Sequence, residues 1–136
     1  MSAELHESWP AEPSSVPRAR AAVVALARSA QASADALADV RLAVSEAVTN
    51  VVVHAYTGVA AGPGPLHVRA MIAGRKLLVE VSDEGGGLRP RPDSPGIGVG
   101  LRIMSAVTEE LRLSNADGEP SRVAMTFDLD VVHAVA

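Results

Sequence analysis

The sequence predicts an α+β fold: a two-layer sandwich in which a mixed or antiparallel sheet is covered on one face by about three helices. Three observations predict it. Alternating segments come in two hairpin-like pairs in the C-terminal half. Stretches with helical apolar spacing fill the N-terminal third and recur once between those pairs. The chain of 136 residues is long enough for one domain with a sizeable core, so residues 1–136 are expected to form a single domain.

The elements follow in order. Residues 4–9 alternate and predict a short edge strand. Ser14 or Ser15 is placed to cap a helix, with Pro17 in its first turn, where a missing N–H costs nothing. That helix runs to about Ser29, with Ala22 and Leu26 in its apolar stripe. A second helix begins near Ser33 or Asp35 and runs to about Ala55. The stretch TGVAAGPGP (57–65) ends it. Residues 66–72 alternate, with Leu66, Val68 and Ala70 on one face; residues 73–75 turn; residues 76–83 return with Leu77, Val79 and Val81 inward. Such a hairpin is antiparallel. Residues 84–100 are rich in Gly and Pro. A third helix is predicted over 101–110, a strand over 111–114, and a last strand over 121–131 with Val123, Met125, Phe127, Leu129 and Val131 on one face.

Composition excludes several function classes. The net charge is -4, with acids and bases interspersed, and no basic block or aromatic-basic interleaving points to direct nucleic-acid binding. The chain has no cysteine, so disulfides and cysteine-based metal sites are ruled out. Its four histidines, His6, His54, His67 and His133, lie far apart and lack zinc-ligand spacing. The N-terminus has no signal-peptide pattern, and no apolar run approaches the roughly 20 residues that span a bilayer. A soluble, cytoplasmic domain without membrane contact is expected. Only Trp9, Tyr56 and Phe127 are aromatic, so the core must be aliphatic.

Three features carry possible chemistry. In SEAVTNVVVHAY (45–56), Leu37, Val44, Val48 and Val51 form an ordinary core stripe on the helical wheel. Glu46 and Asn50 fall within about 40° of each other on the other side. Their wheel neighbours Leu42, Ala43 and Val53 are apolar, which predicts a partly covered face. Arg41 lies about 140° from Glu46 and is no partner for it. A partly buried carboxylate needs a partner, which a metal ion or ligand can supply. A solvated face with two polar residues explains the spacing equally well.

The second feature is VSDEGGGL, where a strand ends at Asp83 and three glycines follow. Asp83 shares the parity of Val79 and Val81, so it points inward and can accept a hydrogen bond from a buried amine. A plain glycine-rich turn after an edge strand is the simpler alternative. The third is PGIGVGLRIM, where Gly96, Gly98 and Gly100 alternate into a helix. Glycines allow close approach to an anion, and a helix N-terminus offers free N–H groups. The pattern is neither the Walker loop nor the dinucleotide fingerprint.

Together and in this order the three features resemble the GHKL ATPase superfamily, which includes gyrase, histidine kinases and MutL. The acid and amide of its N box match Glu46 and Asn50; its D-x-G-x-G box matches Asp83, Gly85 and Gly87; its second glycine box matches Gly96, Gly98 and Gly100. The stretches RLAVSEAVTNVVVHAY and GVGLRIMSAVTEEL look most like the anti-sigma regulatory factors with serine-protein kinase activity. The resemblance covers nearly the whole chain and implies the Bergerat-type ATP-binding fold. It implies ATP and Mg²⁺ as cofactors, with Asn50 on Mg²⁺ and Glu46 as general base. Asp83 would accept from the adenine amino group, with Gly85 and Gly87 close to the base. Gly96, Gly98, Val99, Gly100 and Leu101 would cradle the phosphates. Residues 88–97, with Arg89 and Arg91, would form a lid, and His54 would either line the pocket or serve the helix dipole.

One departure stands out. The family's Gly-Thr pair before the last strand is Pro120-Ser121 here. Ser121 keeps a hydroxyl and can point inward, whereas Thr126 has the opposite parity. The implied function is an anti-sigma factor that phosphorylates a serine on an anti-anti-sigma (STAS-type) protein and sequesters a sigma factor, as a homodimer. The alternatives are a non-catalytic nucleotide-binding regulatory module and a detached histidine-kinase-type ATPase domain.

Overall fold

The computed structural model describes residues 3–58, 62–85, 97–114 and 121–134. Strand β1 (Glu4–Pro10) is followed by helices α1 (Ser15–Ser29) and α2 (Ala34–Asn50) and a π-helical turn (Val51–Ala55). Strands β2 (Pro65–Ala73) and β3 (Lys76–Asp83) come next, then α3 (Ile97–Val107), β4 (Glu110–Ser114) and β5 (Ser121–Asp128). The sheet order is β1-β2-β3-β5-β4. All four pairings are antiparallel, so the mixed alternative falls away.

The register of β2, β3 and β5 explains both core and site. Ile72, Leu77 and Phe127 lie side by side, as do Ala70, Val79 and Met125, and then Val68, Val81 and Val123. The next row in the same phase is Leu66, Asp83 and Ser121. The inward face is thus apolar until its last row, where two polar side chains are buried. The helices close this face with small residues: Ala19, Val23, Val24 and Ala27 from α1, and Val40, Ala43, Val44, Ala47 and Val48 from α2. Each fully buried Leu, Met or Phe contributes about 1.5–3 kcal/mol, so Leu66, Leu77, Met104, Met125 and Phe127 anchor the layers. The turn between β2 and β3 needs Gly74, whose φ is +61°.

Several boundaries differ from the sequence expectation, each for a local reason. Ser14 precedes α1 but makes no capping bond, and Ser15 Oγ instead donates to the Pro10 carbonyl (2.6 Å). Ser33 caps α2, accepting from the Ala36 N–H at 3.0 Å. The α-geometry of that helix stops at Asn50 rather than Ala55, where three consecutive valines crowd the backbone and the turn widens. Helix α3 starts at Ile97 instead of 101 and ends at Val107 instead of 110. Its end is set by Thr108 Oγ1 donating to the Met104 carbonyl (2.7 Å) and by Glu109 N–H pairing with Thr126 O (2.8 Å), which begins the path of β4. Strand β5 stops at Asp128 rather than 131, because the Asp128 carboxylate accepts from the Asp130 N–H (3.0 Å) in a turn. Leu129 is still buried, while Val131 leaves the strand face.

Candidate functional site

Helix α2 carries Glu46 and Asn50 in its last two turns. Its core stripe, Ala43, Val44, Ala47 and Val48, is fully buried and fixes the rotation of the helix. Asn50 is thereby buried, and its Nδ2 has no hydrogen-bond partner among the described residues. An unsatisfied buried amide costs about 1–3 kcal/mol, so a native fold retains one only with a reason. Glu46 is half-buried and makes no ion pair among the described residues. Its face is less covered than the wheel implied. Ala43 is buried, but Leu42 is 43% and Val53 55% exposed.

Helix α3 closes on this pair. A Cβ at Gly100 would sit 3.1 Å from both Glu46 Oε2 and Asn50 Nδ2. Gly100 is therefore small because the acid and the amide occupy the space a side chain would need. The two glycine-box neighbours behave differently: Gly98 faces open space, and Val99 is 59% exposed. Leu101 is half-buried against the core. Because α3 begins at Ile97, Gly98 and Gly100 lie within its first turn rather than ahead of it, beside the free N–H groups of the helix N-terminus.

Beyond Asn50 the π-helical turn changes the phase of the side chains. His54 is half-buried within it, and its α-wheel position one turn past Asn50 no longer applies. The turn ends at Ala55, whose carbonyl lies against Gly85: a Cβ there would overlap the Ala55 oxygen. Gly85 N–H donates to Asp83 Oδ1 at 2.9 Å. Asp83 is buried, opposite Ser121 in the register, so carboxylate and hydroxyl lie side by side under the helix layer. Burial pushes the Asp83 carboxyl above its usual range, partly offset by the Gly85 N–H and by His67. Thr126 lies across from Leu78 in the opposite phase of β5.

The structure therefore brings Glu46, Asn50 and Gly100 together at one point and Asp83, Gly85 and Ser121 at another, joined by the π-helical turn. Gly87, Arg89, Arg91, Gly96 and Pro120 lie outside the described residues. Sequence reasoning missed Tyr56, whose hydroxyl accepts from Glu84 N–H (3.0 Å) and donates to the Pro65 carbonyl. The available signal was its rarity, one of three aromatics, at the end of the polar helix. It also missed Arg20 of α1, which donates to Ser45 Oγ (3.1 Å) beside Glu46. No spacing rule links those two helices.

The family model described as the histidine kinase-like ATPase domain matches residues 9–127, from β1 through β5. The chain belongs to the histidine kinase-like ATPase family. The chain is 32% identical over 119 residues to the anti-sigma F factor of Thermoanaerobacter sp. (strain X514), covering 79% of this chain and 81% of that protein. It is 30% identical over 118 residues to the anti-sigma F factor of Clostridium acetobutylicum, covering 79% and 80% respectively. A crystal structure of the RsbU and RsbW domains of Rv1364c from Mycobacterium tuberculosis superposes with a TM-score of 0.74 at 25% identity. That match covers 93% of this chain and 32% of the longer one. These relatives put this histidine kinase-like ATPase domain in the anti-sigma branch of the GHKL superfamily, whose two-layer α+β fold it shares. Among the described residues no helix is long and apolar enough to cross a membrane.

Proposed function

We propose that this protein is an ATP-binding anti-sigma factor with serine-protein kinase activity. The observation that carries the reading is the buried Asn50 Nδ2, without a partner among the described residues, with Glu46 one turn earlier and Gly100 against both. The unpartnered Nδ2 is a donor and suits a phosphate oxygen, while the oxygen of the same amide fits Mg²⁺ held through ATP: such a cation keeps several waters and takes one or two protein oxygens plus phosphate oxygens. Asn50 would supply that oxygen, and the bound ion would neutralise charge on the phosphates.

The chain's own residues then have separable roles. Asp83 accepts from the adenine amino group, with the Ser121 hydroxyl beside it. The N–H groups opening α3 bind phosphate, Gly98 leaves room for it, and Gly100 lets the helix approach Glu46 and Asn50. Glu46 accepts the proton from the serine hydroxyl of the antagonist as that oxygen attacks the γ-phosphorus. The bond from the γ-phosphorus to the bridging oxygen breaks, and ADP leaves. His54 lines the same end of the helix. The partners are a sigma factor, held by contact, and a STAS-type antagonist, which receives the phosphoryl group. The protein acts in the cytoplasm as a homodimer of one-domain chains.

Transfer of labelled γ-phosphate to the antagonist tests this directly. Glu46→Ala lowers the rate while Mg-ATP still binds; phosphorylation at the full wild-type rate sinks the base assignment. A second reading, a nucleotide-holding module that regulates by contact alone, is favoured by Pro120-Ser121 standing where the family has Gly-Thr. Binding of ATP with no transfer to any antagonist would select it.

A further inference from the structure

Tyr56 lies at the junction of three segments that are distant in sequence. It follows the π-helical turn directly. Its hydroxyl donates to the Pro65 carbonyl, where β2 begins, and accepts from the N–H of Glu84, the first residue after β3. Burial raises its pKa, with the neighbouring Asp83 and Glu84 charges adding to the effect, so the hydroxyl keeps its proton and can do both. The ring fills the space left by two glycines. A Cβ at Gly64 would sit 2.5 and 2.7 Å from Cε1 and Cζ of the ring and 2.9 Å from the hydroxyl oxygen, and one at Gly85 would sit 3.0 Å from Cδ1. Gly64 is itself tied to the end of β1, since Ala11 N–H donates to its carbonyl at 3.0 Å.

These contacts converge on one short turn. Asp83 Oδ1 is held by Gly85 N–H, Gly85 is pressed on the Ala55 carbonyl, and Glu84 is held by the Tyr56 hydroxyl. The backbone after Asp83 is thus held from the helix side by the Tyr56 phenol through a hydrogen bond and by the Ala55 carbonyl through close packing. Nothing else among the described residues accepts from the Glu84 N–H. A rigid carboxylate discriminates between ligands better than a mobile one, because a misplaced acceptor loses its directional bond.

We propose that Tyr56 is a positioning residue that sets the base selectivity of the site by holding the Asp83 turn against the π-helical end of α2. The inference rests on the adenine reading of Asp83. It assigns Tyr56 no contact with nucleotide: the phenol acts through Glu84 and Gly85.

The test compares Mg-ATP with Mg-inosine triphosphate, which carries an oxo group where ATP has its amino group. Calorimetric titration of the full chain gives the two dissociation constants and their ratio. Wild type prefers ATP, and Asp83→Asn loses the preference. Tyr56→Phe keeps the ring but removes both hydrogen bonds; it lowers the ATP preference about three- to tenfold, the worth of one directed hydrogen bond. Amide exchange at Glu84 and Gly85 speeds up in the same variant. Gly64→Ala, whose methyl presses on the ring and on the hydroxyl oxygen from the β2 side, lowers the preference in the same direction. A structural role alone would shift Tm and weaken both nucleotides equally. An unchanged ratio in a Tyr56→Phe protein that still binds ATP overturns the role of Tyr56 and leaves the nucleotide reading standing. A wild type that binds neither nucleotide, or both alike, overturns the inference together with the adenine reading.

Discussion

At the N-terminal end of α2, polar side chains find partners inside the chain. Ser33 accepts from Ala36 N–H and donates to the Val131 carbonyl (2.6 Å), while its own N–H donates to Leu129 O (2.8 Å). Asp35 accepts from His133 N–H (2.8 Å), and Asp39 pairs with the His133 ring at 2.8 Å. At the other end of the same helix, Asn50 Nδ2 is buried without a partner, and Glu46 has no cation among the described residues. The α-geometry itself gives way there to a π-turn. Polar side chains are spent on cohesion at one end and left available at the other. A fold that can satisfy its polar groups, and does so 17 residues away, has a use for those it leaves open.

The comparison can be broken from either side. The largest effect is expected from Glu46→Gln, which keeps shape and removes the base: the transfer rate falls about 10²–10⁴-fold with Tm nearly unchanged. Gly100→Ala comes next. The new methyl presses on Asn50 and Glu46, and transfer falls by up to about 10²-fold, as misplacement near the chemistry does. Stability changes little, because the gain of about 1 kcal/mol of alanine over glycine inside a helix offsets the strain of that contact. Ser33→Ala does the reverse: chemical denaturation reports a loss of about 1 kcal/mol, and nucleotide affinity stays at the wild-type value.

The smallest effect is a pH dependence. The hydrogen bond to Asp39, and then the charges of Asp39 and Asp35, raise the His133 pKa above the usual histidine range. A raised folded pKa stabilises the protonated form. That contribution is fully present below about pH 6.5 and is lost as pH rises through the raised value. Tm measured across this window declines in wild type, and His133→Gln removes that part of the decline while ATP binding is unaffected.

The sheet was legible because its strands alternate strictly. Leu77, Val79, Val81 and Asp83 share one parity, and that alone placed Asp83 inside. The pair Glu46 and Asn50 was legible from helical phase. What the phase could not show was the turn after it. Val51, Val52 and Val53 look like more helix on a wheel, yet the wider π-turn moves His54 off its expected position. The start of α3 was hidden for a different reason. Gly98 and Gly100 are poor helix formers, so propensity argued for a loop, and the close packing of Gly100 on α2 overrides it. The link from His133 to Asp39 spans 94 residues and depends on how the chain returns after β5. No local pattern encodes it.

The central claim is that the open end of α2 is kept for Mg-ATP. Calorimetric titration of Mg-ATP into wild type, Asn50→Ala and Ser33→Ala, with the folding stability of each measured alongside, tests it most directly. Binding by wild type and Ser33→Ala with equal affinity, and its loss in an Asn50→Ala protein at least as stable as wild type, is the predicted result. An Asn50→Ala protein that binds Mg-ATP as tightly as wild type would contradict it.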